Sequence, residues 1–167
     1  LRNFNCEILF QKNKGYGDAL IQGIDYVKTK FFCIFNADGS FDPIELSAMY
    51  KKISENNNDL IFASRYEKNC SSEDDTLITY LGNFIFTKIG NIFFQLSITD
   101  ILYTYVLGKT DCAKKLNLFQ KDFRFCVELP IKAKRMKMRL FSSSAYERKR
   151  IAGKKKVNAF KDGLLIL

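Results

Sequence analysis

Two short apolar runs, neither interrupted by a polar residue, constrain the fold of this chain more than any other feature. The first covers residues 31–35 and the second covers residues 60–63, and both contain Phe and Ile. A strand with one face in water alternates apolar and polar residues, whereas an unbroken apolar run of this length is typical of a strand covered on both faces. We therefore predict two central, parallel strands.

The segments around these runs have helical spacing. Apolar residues recur every three to four positions over residues 18–28, and a second helix is predicted over residues 43–55. A strand is predicted over residues 6–11, before the first of these helices, and the second apolar run is extended to give a third strand over residues 59–64. Strands and helices therefore alternate along the chain. This order predicts an α/β fold with a doubly wound, mostly parallel sheet.

The second half of the chain continues with both kinds of element. After a polar loop, the expected elements are an apolar helix over 77–96, a strand over 103–108, a helix that includes Phe125, Leu129, Ile131 and Ala133, and a strand over 138–146. A basic segment and an apolar C-terminal segment, residues 157–167, follow. A chain of 167 residues is long enough to bury one sizeable core, so we expect a single domain, residues 1–167. Because the chain begins at Leu1, close to a predicted strand, we expect the first strand and helix of this domain to lie upstream.

Charge and cysteine content restrict the class of protein. The net charge of +9 favours an anionic partner: nucleic acid, a phosphorylated ligand or an acidic lipid surface. The five cysteines are widely spaced without a Cys-x-x-Cys pair, which indicates neither a disulfide framework nor a zinc site and fits a reducing cytosol. Lys88 and Asp100 interrupt the longest apolar stretch, so we expect no membrane-spanning segment.

Asn36 and Asp38 follow the first apolar run directly. Ligands of open α/β sheets bind at the carboxyl ends of the strands, and carboxylate and amide oxygens suit Mg²⁺ or Mn²⁺ bridging the phosphates of a nucleotide. The alternative is an ordinary Asp-Gly turn.

Two further segments are candidates for the same edge of the sheet. Gly15 and Gly17 join a strand to a helix and would let the backbone approach either a ligand or another chain segment. Arg65 follows the third strand, where a guanidinium can clamp phosphate or pair with a carboxylate. Asp100 is the only acid in a long apolar stretch, which makes it a candidate base or acceptor-orienting carboxylate, with a helix cap as the alternative.

Taken in order, these segments resemble the inverting family-2 glycosyltransferases of GT-A fold, within them the dolichol-phosphate mannose synthase-like branch. The matching segments are residues 13–19 (the family's Asn-x-Gly-x-Gly-x-Ala turn), 36–40 (its Asp-x-Asp metal motif), 63–66 (its Gly-Ser-Arg-Tyr strand end), 98–100 (its acceptor-side Thr-Asp), 127–129 (a helix with an acceptor-region Glu) and 150–156 (its basic Arg-x-x-Gly-x-Ser-Lys signature). Asn36 replaces the first Asp of the metal motif, and Lys155 replaces the Ser of the basic signature.

The resemblance implies transfer of a sugar, with inversion, from a nucleotide sugar to a polyprenyl phosphate of the dolichyl or undecaprenyl type, in cell-envelope glycan synthesis. It implies a peripheral protein on the cytoplasmic face of a membrane, with the nucleoside-gripping residues upstream of Leu1. The roles it implies are donor and phosphate binding by Asn13, Gly15, Gly17, Asn36, Asp38 and Arg65; Mg²⁺ or Mn²⁺ binding by Asp38 and Asn36; catalysis by Asp100 and Arg65; acceptor-phosphate binding by Arg148, Arg150 and Lys156; and an acceptor-region role for Glu128.

Two other functions fit parts of the sequence. The same GT-A core could transfer sugar to a glycan or a small molecule, since the donor-side motifs would look alike. A basic nucleic-acid-binding domain would use the charge and the sixteen Phe residues. These Phe residues lie in apolar runs and do not interleave with Lys and Arg, so we expect no nucleic-acid partner.

Overall fold

The computed structural model describes residues 6–68, 70–153 and 159–166, which form a four-stranded sheet covered by helices. The strands are β1 Phe31–Ile34, β2 Leu60–Ser64, β3 Val106–Lys109 and β4 Leu140–Ser144. The helices are α1 Tyr16–Tyr26, α2 Glu45–Glu55, α3 Leu77–Phe94, α4 Thr110–Lys115, α5 Phe125–Arg135 and α6 Ala159–Ile166. The short helix α4 was not predicted, because six residues are too few to show a helical period.

The sheet has the order β1-β3-β2-β4, and three of its strands run in one direction. β2 pairs in parallel with β4, whereas β3 is antiparallel to both β1 and β2. The mostly parallel α/β sheet is thus confirmed, although β1 and β2 are not neighbours. Val106 at the start of β3 pairs with Ile34 on one side and Phe62 on the other. The ends of β1 and β2 therefore meet the beginning of β3 at one edge.

The two apolar runs differ in burial. All five residues of β2 are buried, as predicted for a strand covered on both faces, and its side chains divide between two hydrophobic clusters. In β1, Phe31 and Cys33 are only partly buried. Within the described residues β1 pairs with β3 alone, so the prediction that β1 is a central strand is wrong there.

The predicted strand over residues 6–11 is also absent from the described structure. These residues have no regular secondary structure, and the side chains of Ile8, Leu9 and Phe10 are exposed. A strand needs a partner for its backbone hydrogen bonds, and residues 6–11 join no ladder of the described sheet. A run of residues with high β-strand propensity does not supply that partner by itself.

Helix α3 has one polar face held against the following loop and one exposed apolar face. The amide oxygen of Asn83 accepts from the backbone N–H of Leu102 at 3.0 Å, and the hydroxyl of Thr87 accepts from that of Ile101 at 3.2 Å. By length and composition alone α3 could cross a membrane, and only 17% of it is buried. The prediction that Lys88 leaves the apolar runs too short was therefore wrong.

Candidate functional site

A cavity of about 630 Å³ opens where β1 and β2 end and β3 begins. This is the edge at which open α/β sheets bind ligands. Residues that line it include Gly15, Tyr16, Asn36, Asp38, Arg65, Asp74, Tyr103, Glu147 and Arg150. Sequence reasoning named five of these nine as site residues.

Asp38 lies in the turn that follows β1, with Asn36 in the same cavity wall. Its Oδ1 accepts hydrogen bonds from the backbone N–H and the hydroxyl of Ser40, at 3.0 and 2.7 Å. Its Oδ2 lies 3.5 Å from Nη1 of Arg150. Partial burial raises the pKa of Asp38, but the hydrogen bonds from Ser40 and the charge of Arg150 outweigh it, so the pKa lies below its ordinary value. The carboxylate is ionised at neutral pH.

The described residues contain no group of three or more His, Cys, Asp or Glu side chains that could enclose a metal ion. Asp38 and Asn36 offer one carboxylate and one amide oxygen. Such a pair suits Mg²⁺ or Mn²⁺, because these ions commonly take only one or two protein ligands and complete their shells with phosphate and water oxygens. The donor set therefore fits a nucleotide-bound metal and does not form an all-protein cage.

Arg65 is enclosed by carboxylates. Its Nε and Nη2 donate to the two oxygens of Asp100 at 2.8 and 3.1 Å, and its Nη1 donates to Glu147 at 3.1 Å. Nη1 also lies 3.9 Å from Asp75, and the guanidinium stacks 4.6 Å above the ring of Tyr103. Burial lowers the pKa of Arg65, but Asp100 and Glu147 outweigh it, and the pKa is well above its ordinary value. The sequence left open whether Arg65 clamps a phosphate or pairs with a carboxylate, and in the structure it pairs with carboxylates.

Asp100 lies behind Arg65, and it is not part of the cavity wall. The residue is 0% exposed, and besides Arg65 it accepts from the side-chain amide of Asn83 at 2.8 Å. A general base must reach within hydrogen-bond distance of the proton it removes. This geometry supports a role in positioning Arg65, and a direct catalytic role for Asp100 stays a prediction without a contact to support it.

The glycine turn before α1 accommodates another chain segment. A Cβ at Gly15, which has φ +135°, would lie 2.0 Å from the carbonyl oxygen of Lys121, and one at Gly17 would lie 2.1 Å from that of Gln120. Asn13 donates to the carboxylate of Asp18 from its backbone and its side chain, at 3.2 and 3.1 Å. Of the three residues predicted to bind the donor here, Gly15 alone lines the cavity.

Glu128, for which an acceptor-region role was predicted, does not lie in the cavity wall. Its carboxylate accepts from the backbone N–H groups of Phe119 and Gln120, at 3.0 and 2.8 Å, and pairs with Lys132 at 2.8 Å. Glu128 therefore holds the segment that packs against the glycine turn. These contacts support a structural role for Glu128, and its acceptor-region role stays a prediction.

The basic segment after β4 is fastened to the Asp38 turn. The backbone N–H groups of Arg148 and Ile151 donate to the carbonyls of Ser40 and Asp38, at 2.9 and 2.8 Å. Arg148 forms an ion pair with Asp42 and does not line the cavity. Arg150 does line it and donates from Nη2 to Asp74 at 2.9 Å. Lys156 lies outside the described residues.

Sequence reasoning missed Tyr16, Asp74, Tyr103 and Glu147. Tyr16 belongs to the glycine turn and hydrogen-bonds with Thr104, and Glu147 stands next to Arg148, so their motifs offered a signal. Tyr103 offered none, because it occurs in an apolar run that was assigned to a strand.

Comparisons with known proteins agree on family and fold. Residues 2–116 match the family model described as glycosyl transferase family 2. No curated protein matches the chain. Three solved structures of glucosyl-3-phosphoglycerate synthase from Mycobacterium tuberculosis resemble it with TM-scores of 0.62, 0.57 and 0.56 at 10% identity. They were solved with Mn²⁺, UDP and phosphoglyceric acid, with phosphoglyceric acid alone, and with Mn²⁺, UDP-glucose and phosphoglyceric acid, respectively.

These matches cover 85% of this chain and 48 or 49% of the solved chains, so the chain spans about half their length. At this identity the likeness concerns the fold alone, which is the GT-A fold that the motifs implied. The dolichol-phosphate mannose synthase-like branch receives no support from these matches. Because the family model covers most of the chain and the cavity lies where the motifs predict it, the chain belongs to glycosyl transferase family 2.

Proposed function

We propose that the protein containing this chain transfers a sugar, with inversion, from a nucleotide sugar to a polyprenyl phosphate. The observation that carries the proposal is the pairing, in one cavity, of the metal-type turn at Asp38 with Arg150 of the basic segment. The reaction brings a diphosphate and an acceptor phosphate together at the sugar carbon. A metal-binding carboxylate beside a guanidinium is suited to hold both.

Each side of the cavity has a task in this reaction. Asp38 and Asn36 would hold Mg²⁺ or Mn²⁺, which when bound neutralises charge on the leaving diphosphate. Arg150 orients a phosphate by charge-assisted hydrogen bonds, and Arg65 supplies a fixed wall. No strong base is needed, since an acceptor phosphate is already ionised at neutral pH.

The exposed face of α3 supports a lipid acceptor. Its large apolar side chains include Leu77, Leu81, Ile85, Ile92 and Phe93, which are between 47% and 82% exposed. A helix with such a face binds in the plane of a membrane surface, and the net charge of +9 favours an anionic one. Because Asn83 on its other face donates to Asp100, we propose that α3 lies on the cytoplasmic surface of the membrane and does not cross it.

A second candidate function is transfer to a small phosphorylated acceptor. The observation that favours it is the likeness to glucosyl-3-phosphoglycerate synthase, solved with phosphoglyceric acid. Both candidates place an acceptor phosphate in the cavity, and they differ in what carries it.

Product identity distinguishes the two candidates. The complete protein is incubated with radiolabelled nucleotide sugars, Mn²⁺, and either undecaprenyl phosphate in liposomes or phosphoglyceric acid in solution. Label in the solvent-extracted lipid, with inverted anomeric configuration, supports the first proposal. Label in phosphoglyceric acid alone replaces it with the second, and label in neither acceptor contradicts both.

A further inference from the structure

Three buried side-chain polar atoms in the described part of the chain lack a hydrogen-bond partner: Tyr103 Oη, Arg150 Nε and Thr110 Oγ1. Tyr103 and Arg150 both line the cavity. Thr110 lies beyond the opposite end of β3, at the start of α4. A polar atom shielded from water without a partner opposes folding, so each such atom in a native fold calls for an explanation.

The ring of Tyr103 is held firmly. The residue is 4% exposed, with the guanidinium of Arg65 at 4.6 Å and the ring of Phe41 at 4.9 Å, both measured from its ring centre. Tyr105 belongs to the same aromatic cluster, and its hydroxyl donates to the carbonyl of Asp42 at 2.9 Å. The hydroxyl of Tyr105 therefore has a hydrogen-bond acceptor within the fold, whereas the hydroxyl of Tyr103 has none among the described residues.

The missing partner is an acceptor of hydrogen bonds. Burial raises the pKa of Tyr103, and the nearby carboxylate of Glu147 raises it further against the opposing effect of Arg65, so the phenol stays protonated. Arg150 Nε can only donate, and the other guanidinium nitrogens of Arg150 face Asp74 and Asp38. Two unused donors in one cavity wall suit an anionic oxygen.

We propose that Tyr103 is a substrate-binding residue whose hydroxyl, together with Arg150 Nε, donates to a phosphate oxygen in the cavity. The carboxylates around them are already engaged: Asp38 with Ser40, Asp74 with Arg150, and Glu147 with Arg65. The inference rests on the proposed function in taking the substrate to be a phosphate ester, and it adds a contact outside the motifs of the sequence.

The test compares Tyr103→Phe with Tyr105→Phe in the complete protein. Each variant loses one hydroxyl from the same cluster and keeps its ring. Binding of farnesyl phosphate, inorganic phosphate, and UDP with Mn²⁺ is measured by calorimetry, and thermal unfolding is measured in parallel.

We expect Tyr103→Phe to weaken phosphate binding by about ten- to a hundred-fold, as for the loss of a hydrogen bond to a charged group, with an unchanged or higher Tm. Tyr105→Phe should leave phosphate binding unchanged and lower the Tm by roughly 2 to 4 °C, as for the loss of one hydrogen bond in a domain of this size. Equal phosphate affinity in Tyr103→Phe and the parent protein would overturn the proposal.

The three probes identify the source of the phosphate. Weaker farnesyl phosphate and inorganic phosphate binding with unchanged UDP binding assigns the subsite to the acceptor, and the reverse assigns it to the donor diphosphate. Since binding is measured without turnover, the subsite can be supported even if transfer to a polyprenyl phosphate fails, and such a failure points to the small phosphorylated acceptor.

Discussion

Arg65 and Arg150 were assigned to phosphate by the same kind of motif reasoning, yet their surroundings differ. Arg65 is 10% exposed and makes paired hydrogen bonds to Asp100 and a further one to Glu147. Arg150 is 23% exposed, faces Asp74 and Asp38, and has an Nε without a partner. One guanidinium is saturated by buried carboxylates, and the other keeps a donor unused.

The difference teaches that an arginine's position at the ligand edge does not decide its role. A phosphate that replaced Asp100 at Arg65 would leave a fully buried carboxylate unpaired, which is costly. A phosphate that joins Arg150 meets an unused donor, and the carboxylate partner Asp74 is 18% exposed, so it is not fully removed from water. We therefore propose that Arg65 belongs to the architecture of the cavity and that Arg150 contacts its ligand.

The largest expected effect is on stability, from Arg65→Ala. Removing the guanidinium leaves Asp100 and Glu147 buried without their cation, so the free energy of unfolding should fall by about 3–5 kcal/mol. Urea denaturation measures this free energy of unfolding. Adding Asp100→Asn should recover part of the loss, because the unpaired charge is then gone. A stable Arg65→Ala protein that has lost phosphate binding would contradict a structural role for Arg65 and would give it the same role as Arg150.

Next in size is the effect of Asp38→Ala on activity. Loss of the metal-binding carboxylate should lower kcat/KM for sugar transfer at least about a hundredfold, roughly 3 kcal/mol, while the Tm changes little. Asn36→Asp is the complementary variant and should tighten Mn²⁺ binding in the presence of nucleotide sugar, measured by calorimetry. Retained activity in Asp38→Ala would contradict metal binding at this turn.

Arg150→Ala should act on the acceptor and not on the fold. We expect the apparent KM for a soluble, short-chain acceptor phosphate to rise by about ten- to a hundred-fold, or roughly 1.5–3 kcal/mol, and the free energy of unfolding to change by less than about 1 kcal/mol. The matched control is Lys149→Ala, the exposed neighbouring cation. Equal effects of the two variants would mean that general charge attracts the acceptor.

The smallest expected effect separates phosphate binding from membrane binding. Ile85→Ser on the exposed face of α3 should weaken binding to anionic liposomes about tenfold, as for the removal of roughly 1–2 kcal/mol of apolar burial, and leave the KM for the soluble acceptor unchanged. Ile44→Ser is the control, because Ile44 is 73% exposed at the start of α2, on the other side of the sheet. Equal loss in both variants would contradict a membrane role specific to α3.

Local pattern in the sequence determined most of the helices, the buried strand β2 and the edge at which Asn36, Asp38 and Arg65 meet. Each rests on spacing within a few residues: an unbroken apolar run gives a covered strand, and polar residues directly after it lie at the carboxyl edge. The same reasoning was wrong for residues 6–11 and for the central placement of β1, because a strand's neighbours are not encoded in its own residues.

Only the tertiary structure decided which side chains meet. Asp100 and Glu147 reach Arg65 from 35 and 82 positions away along the chain, and Glu128 turns from the cavity to the segment that packs against Gly15 and Gly17. Insertion of β3 between β1 and β2 brings Tyr103 into the cavity wall. Sequence spacing fixes the direction of a side chain relative to its own element, whereas its partners depend on strand order and on distant residues, which local periodicity does not contain.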